Sequence, residues 1–233
     1  MGDRAVLCVV GLVAVGVLSG GCMSEAPDAV FERSERFESL IELPPPDLDG
    51  ELTLERVLAE RRSQRDFADA ELPLETIGQL FWAGQGISSD TGYRTAPSAG
   101  ARYPLELYAL TASSLLHYRP DGHRAERTDS DALTELADAA FGQEFVGSAP
   151  GVLILVGVAA RTEAEYGALA ERLVDREAGH ATQNVLLQAT ALGLAATPVG
   201  GFDPEVVARL LALPPGHEVL YLVPIGEPPV TGP

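Results

Sequence analysis

The chain contains no lysine: all 16 of its basic residues are arginines, set against 34 aspartates and glutamates for a net charge of −18. That absence excludes a Schiff-base lysine, a Walker-type phosphate lysine and a lysine general base. Any anion must be held by arginine forks or by backbone amides. The acidic surplus also argues against a general nucleic-acid or anionic-membrane surface, which needs a basic face to meet phosphate. Cysteine is nearly as scarce, with only Cys8 and Cys22, and asparagine occurs once, at Asn184. The four histidines, His117, His123, His180 and His217, lack metal-ligand spacing, so no metal site is expected. Ser98 stands in Pro-Ser-Ala-Gly rather than a Gly-x-Ser-x-Gly elbow, and neither glycine loop matches a dinucleotide fingerprint.

What is present begins with an apolar run from Ala5 to Leu18, behind Arg4 and ahead of Ser19-Gly-Gly-Cys22. The run is short for a bilayer span and reads as a secretory leader. Its small residues ending at a cysteine resemble a bacterial lipoprotein box, which implies lipidation of Cys22 and anchoring at the cell envelope. Cleavage there removes Cys8 and leaves no intramolecular disulfide, whereas a Cys8–Cys22 bridge requires an uncleaved leader. The expected organisation is a signal peptide over 1–21, a tether or arm over 22–50 that includes Pro44-Pro-Pro46, and one folded domain over 51–233.

Within the domain, apolar spacing predicts a helix from Leu52 to Arg61 and a second starting at Pro73, with Ile77, Leu80, Phe81 and Gly84 on one face. Leu105 to Ala112 and Leu115 to Tyr118 read as a hairpin, followed by a helix over Ser130 to Phe141. Gly151 to Ala159 is a strand buried on both faces. A long helix is expected from Thr162 to Leu192, stopped by Gly193 and buried over its second half. Thr197 to Phe202 is a glycine-bearing loop, Asp203 caps a short helix to Leu213, and Val219 to Ile225 is a final strand. The mixed order points to a single α+β domain around a central sheet.

Three segments have the residue types of a binding site. Arg61, Arg62, Ser63 and Arg65 offer phosphate-binding groups, although arginines also suit a helix C-terminus for its dipole. Pro97-Ser-Ala-Gly100 and Pro198-Val-Gly-Gly201 are small-residue loops that let a flat ligand approach the backbone.

Taken with Gln79-Leu-Phe-Trp-Ala-Gly-Gln-Gly86, Ala101-Arg-Tyr-Pro-Leu-Glu-Leu-Tyr108 and Glu177-Ala-Gly-His-Ala-Thr-Gln-Asn184, these segments resemble the nitroreductase superfamily. Within it they are most similar to the SagB/thiazole-oxidase type of FMN-dependent dehydrogenase. The resemblance implies a mostly antiparallel sheet flanked by helices, in a homodimer with an FMN at each of two interface sites. Arg61, Arg62, Ser63 and Arg65 would hold the phosphate and ribityl end. Pro97, Ser98, Ala99 and Gly100 would border the isoalloxazine ring, and Pro198, Val199, Gly200 and Gly201 would line its other edge. Asn184 joins them as a candidate on the long helix, with Gln183 beside it, while Tyr103 and Tyr108 are within reach in sequence. Hydride would pass through flavin N5 between a donor such as NAD(P)H and a small organic acceptor, with no catalytic side chain of the usual kind. Two features depart from the pattern. No basic residue follows Gly226, and the lysine-free chain cannot supply the Lys-Tyr pair associated with azoline oxidation. A second reading is a non-catalytic envelope protein that keeps the fold to hold a flavin or another ligand.

Overall fold

The computed structural model describes residues 36–230. The leader, Cys8 and Cys22 lie outside the described residues, as do residues 22–35 of the stretch read as a tether. The chain forms β1 (Ser39–Glu42), α1 (Leu54–Glu60), α2 (Leu74–Gln85), β2 (Leu105–Thr111), β3 (Ser114–Arg119) and β4 (Arg124–Asp129). It continues through α3 (Leu136–Ala139), α4 (Glu144–Gly147), β5 (Gly151–Gly157), α5 (Ala160–Tyr166), α6 (Ala170–Ala191), β6 (Ala195–Ala196), α7 (Pro204–Leu210) and β7 (Glu218–Gly226).

The strands make one sheet in the order β1-β4-β3-β2-β5-β7-β6, and each described pairing is antiparallel. Alternation along β2 explains how it is covered on both sides. Leu105, Leu107 and Ala109 face a cluster built with Leu80 and Phe81 of α2 and Val185 of α6. Tyr108 and Leu110 face a second cluster with Leu136 of α3, Val146 of α4 and Val207 of α7. The result is a three-layer α+β domain with a buried central hairpin.

Five expectations change. The expected tether contains β1, whose Leu40 pairs with Glu126, so the sheet extends into residues 39–42. The hairpin gains a third strand, β4, which its alternating charges had disguised. The helix expected over Ser130 to Phe141 becomes a 3-10 turn at Ala132–Glu135 and the short α3, ended by Phe141 and Gly142 at positive φ, and a further short helix, α4, follows outside the expected span. The long helix expected from Thr162 to Leu192 breaks at Gly167, whose φ of 51° ends α5 before α6 begins. The second half of α6 is buried on one side only: His180, Gln183 and the C-cap Leu192 are exposed. Gly193 does stop it, at φ 71°, with Leu194 N–H closing onto Ala189 O.

Gly84 shows why α2 can lie so close to the sheet. A Cβ there would sit 2.7 Å from Leu107 Cδ2 and 3.2 Å from Val185 Cγ2. Gly84→Val is therefore expected to destabilise the domain by about 1–3 kcal/mol through overpacking. An unchanged thermal midpoint would show that the α2–β2–α6 junction has slack.

Candidate functional site

The arginine segment leaves α1 at Arg61, whose N–H closes the helix on Val57 O before the backbone turns extended (φ −52°, ψ 120°). From there it runs past the β6 edge of the sheet. Gln64 N–H donates to Ala196 O at 3.0 Å and Ala68 N–H to Glu227 O at 2.8 Å. This route carries Arg61 to Arg65 directly beside the start of the second glycine loop. Arg62, Ser63 and Arg65 are exposed and Arg61 is half-buried. Arg62 Nη1 donates to the carbonyls of Ala59 and Arg61, so it serves the helix end as the dipole argument expects. The Arg65 guanidinium lies 5.5 Å over the ring of Phe145.

The second loop is pinned at Val199, which exchanges backbone hydrogen bonds with Leu222 of β7 at 2.8 and 3.0 Å. Val199 and Phe202 are buried among the α3–α4–α7 layer, while Gly200 and Gly201 turn outward. A Cβ on Gly200 would meet only Tyr221 Cε1 at 4.0 Å, and one on Gly201 only Gln143 Nε2 at 4.0 Å. The glycines thus leave the backbone open rather than filling a crowded turn. Gln143 donates from Nε2 to Gly201 O and Ala140 O, each at 2.8 Å. Gln143 and Phe145 complete this end of the site and carried no sequence signal, because only tertiary packing brings α4 to the loop.

The first loop is built into a different layer. Ala96 belongs to the α2–α6 cluster, and Ala99 N–H donates to the buried Glu177 of α6 at 2.8 Å. Asn184 donates from Nδ2 to Thr95 O at 3.2 Å, so its side chain steadies the base of this loop. Gly100 (φ 58°) approaches α5 so closely that a Cβ would lie 2.7 Å from Glu165 Oε2. Ala101 (φ 52°) and Tyr103 (φ 46°) share the left-handed region without being glycine, a strained run that Ser98 supports by accepting Tyr103 N–H at 2.9 Å. Within one chain the fold therefore joins the arginine segment to the second loop, and places the first loop on α5 and α6.

Behind the first loop lies a buried charge network that the sequence did not announce. Arg161 of α5 donates to Tyr103 O at 3.3 Å and pairs with Glu106, which also bonds His117 Nε2. His117 Nδ1 stands 3.3 Å from Glu126, and Glu126 pairs with Arg119 at 2.9 Å. The Tyr108 ring stacks on the imidazole at 4.2 Å, placing that tyrosine in the core. Burial alone would raise the Glu106 carboxyl; its bond to His117 and the charges of His117 and Arg161 outweigh that and hold it at about 2. Burial pushes the Tyr108 phenol up.

A cavity of about 390 Å³ opens at the other end of β2, lined by Leu72, Ile77, Thr111, Leu116 and Pro150 among others. It touches none of the three segments and gathers no glycine loop, so it is not the candidate site.

The Nitroreductase family model matches residues 58–227. A Methanocaldococcus jannaschii protein named "putative nitroreductase" is 37% identical over 194 residues, 80% of this chain and 96% of its own. A structure of the same description from Ralstonia eutropha JMP134 superposes with a TM-score of 0.73 at 30% identity, covering 82% of this chain and 90% of that one. A third, from Parabacteroides distasonis, bears the name NADH dehydrogenase/NAD(P)H nitroreductase and shares the fold with a TM-score of 0.59 at 22% identity, over 78% and 90% of the two chains. The fold and these matches define an oxidoreductase. The chain belongs to the nitroreductase family, whose members typically use a flavin. An enzymatic family leaves no need for the reading as a non-catalytic ligand holder.

Proposed function

We propose that the protein is an FMN-dependent oxidoreductase of the SagB-dehydrogenase-like type, working as a homodimer that passes hydride from a donor such as NAD(P)H to a small organic acceptor. The observation that carries this reading is the meeting of the arginine segment with the open backbone of Gly200 and Gly201 at the β6 edge. Arg61, Ser63 and Arg65, with Arg62 at the helix end, suit a phosphate and ribityl chain. Pro198 to Gly201 offer amides to one ring edge. FMN bound there would supply the hydride-accepting and hydride-donating ring chemistry. The chain's own part is to orient that ring, shield one face and leave the other open.

A second copy supplies the missing border. Pro97 to Gly100 belong to another layer than the second loop, so a ring edged by both is best made by loops from two subunits. The outward side of α6 suits such a partner. Gly179 sits mid-helix where a Cβ would meet nothing within 4 Å, and glycine there costs roughly 1 kcal/mol relative to alanine unless something approaches closely. Leu54 and Leu58 of α1, which rests on α6, are 59% and 53% exposed and lack a cover among the described residues. Asn184, half-buried and bonded to Thr95 O at the base of the first loop, keeps its place among the cofactor candidates. Lipidation at Cys22 would tether the dimer to the cell envelope.

The test is a spectrum. The purified full-length chain should be yellow or bind added FMN, bleach with NADH or NADPH, regain colour with a nitroaromatic or quinone acceptor, and run as a dimer in light scattering. A folded dimer that stays colourless in excess FMN would overturn the reading.

A further inference from the structure

At the base of the first loop stands a guanidinium that the fold leaves short of negative charge. Arg94 is half-buried, donates from Nη1 to Gln85 Oε1 at 2.8 Å and lies 4.5 Å over the Tyr103 ring. Arg161, which acts on it, holds a carboxylate, as do Arg102 and Arg119. Arg94 holds none among the described residues, because Glu106 is already bonded to Arg161 and His117. Burial pulls its pKa down; Glu106 offsets part of this and Arg161 adds to it. An arginine kept this way in a chain with 34 acidic residues is not short of available partners in sequence; it is short of one in space.

The remaining donors form a usable set. Arg94 Nε and Nη2 have no protein partner among the described residues and are not sealed from solvent, and the same holds for the Tyr103 hydroxyl. Nε and Nη2 are the side-on pair of a guanidinium, spaced for the two oxygens of one carboxylate. Tyr103 is gripped at three points, by Ser98 Oγ at its N–H, by Arg161 at its carbonyl and by Arg94 on its ring. Such preorganisation is what a binding residue requires and a loop filler does not. Next to them, Tyr93 is 61% exposed and Ile87, bridged to Arg94 across a short hairpin, is 39% exposed. The surface combines a free fork, a fixed phenol and uncovered apolar area.

We propose that Arg94 and Tyr103 form an anchoring site for the carboxylate of an aromatic substrate, Arg94 giving a two-point fork and Tyr103 a further hydroxyl donor. The assignment rests on the proposed flavin reading for its role in turnover, since Arg94 lies three residues before Pro97 at the expected ring border. The anchoring site itself stands without a flavin, and the experiment keeps the two apart. Benzoate and its neutral counterpart benzamide are titrated calorimetrically into the full-length chain, as isolated and after saturation with FMN. Benzoate should bind at least about tenfold tighter than benzamide, the worth of one charge-assisted contact. Arg94→Gln should erase that preference, Arg94→Lys should keep part of it, and Arg209→Gln on α7 should leave it unchanged. Tyr103→Phe should weaken benzoate several-fold while leaving benzamide alone. These two milder variants decide the matter if Arg94→Gln fails to fold. Benzoate preference in a chain that ignores FMN would support the anchor and sink the flavin reading. FMN binding without any preference for benzoate, or a preference that survives Arg94→Gln, would overturn the anchor and spare the flavin. Absent preference together with subunit dissociation in Arg94→Gln would make Arg94 an interface ion pair, which also overturns it.

Discussion

Replacing Arg61 and Arg65 together by alanine is expected to release FMN from a protein that stays folded. Each arginine that holds a phosphate oxygen contributes about 1.5–3 kcal/mol through a charge-assisted hydrogen bond, so losing two should weaken FMN by at least about a hundredfold. Among the described residues neither guanidinium is paired with a carboxylate, and Arg65 is exposed. Their removal should therefore cost the fold within about 0.5 kcal/mol, as for ordinary surface changes. Arg62→Ala alone should behave differently, because its guanidinium serves the carbonyls of Ala59 and Arg61: a smaller flavin effect with a slightly looser α1. Affinity should also fall with salt in the parent protein and fall less steeply in the double variant. Flavin fluorescence titrations at two ionic strengths, beside a thermal unfolding curve, separate these outcomes. A double variant that retains flavin as tightly as its parent would move the phosphate to another part of the molecule.

Much of this geometry was legible because it is local. Asp203 caps α7 through its side chain to the N–H groups of Glu205 and Val206, Gly193 ends α6, and the β2–β3 hairpin follows from period-two alternation. The three site segments were legible as residue types, and two of them do meet. What escaped was set by neighbours distant in the chain. β4 reads Arg-Ala-Glu-Arg-Thr-Asp, a polar string that holds a strand because Ala125 and Glu126 turn into buried neighbours. Gly167 breaks the long helix where residues on either side retain helical spacing, so periodicity could not reveal it. Gln143 and Phe145 reach the second loop only across the α3–α4 turn. The charge network was hidden for a related reason: Glu106, His117 and Glu126 are one contact apart across three strands and eleven or nine positions apart in sequence.

That network makes the second large prediction. Glu106→Gln should destabilise the domain by about 3–5 kcal/mol at neutral pH, because it removes a buried charge that pairs with both Arg161 and His117. The pH dependence follows in sign from the depressed carboxyl. The folded Glu106 carboxyl is held at about 2 against an ordinary value of 4.5, so its stabilisation is complete above about pH 4.5 and is lost as pH falls toward 2. For the parent this amounts to about 3 kcal/mol over that window, and the Glu126 carboxyl, burial opposing but His117 and Arg119 prevailing, is lowered in the same direction. Glu106→Gln removes one titrating group, so its stability should fall less steeply with acid than the parent's. Urea unfolding at pH 7, 4.5 and 3 reads both the offset and the slope; parallel curves for the two proteins would show that Glu106 is not held low. Because Arg161 also donates to Tyr103 O, the same change should loosen the first loop. Glu106→Gln is then expected to lose stability and benzoate binding together, whereas the Arg61 and Arg65 pair loses flavin alone, and that contrast locates the network between the core and the loop it supports.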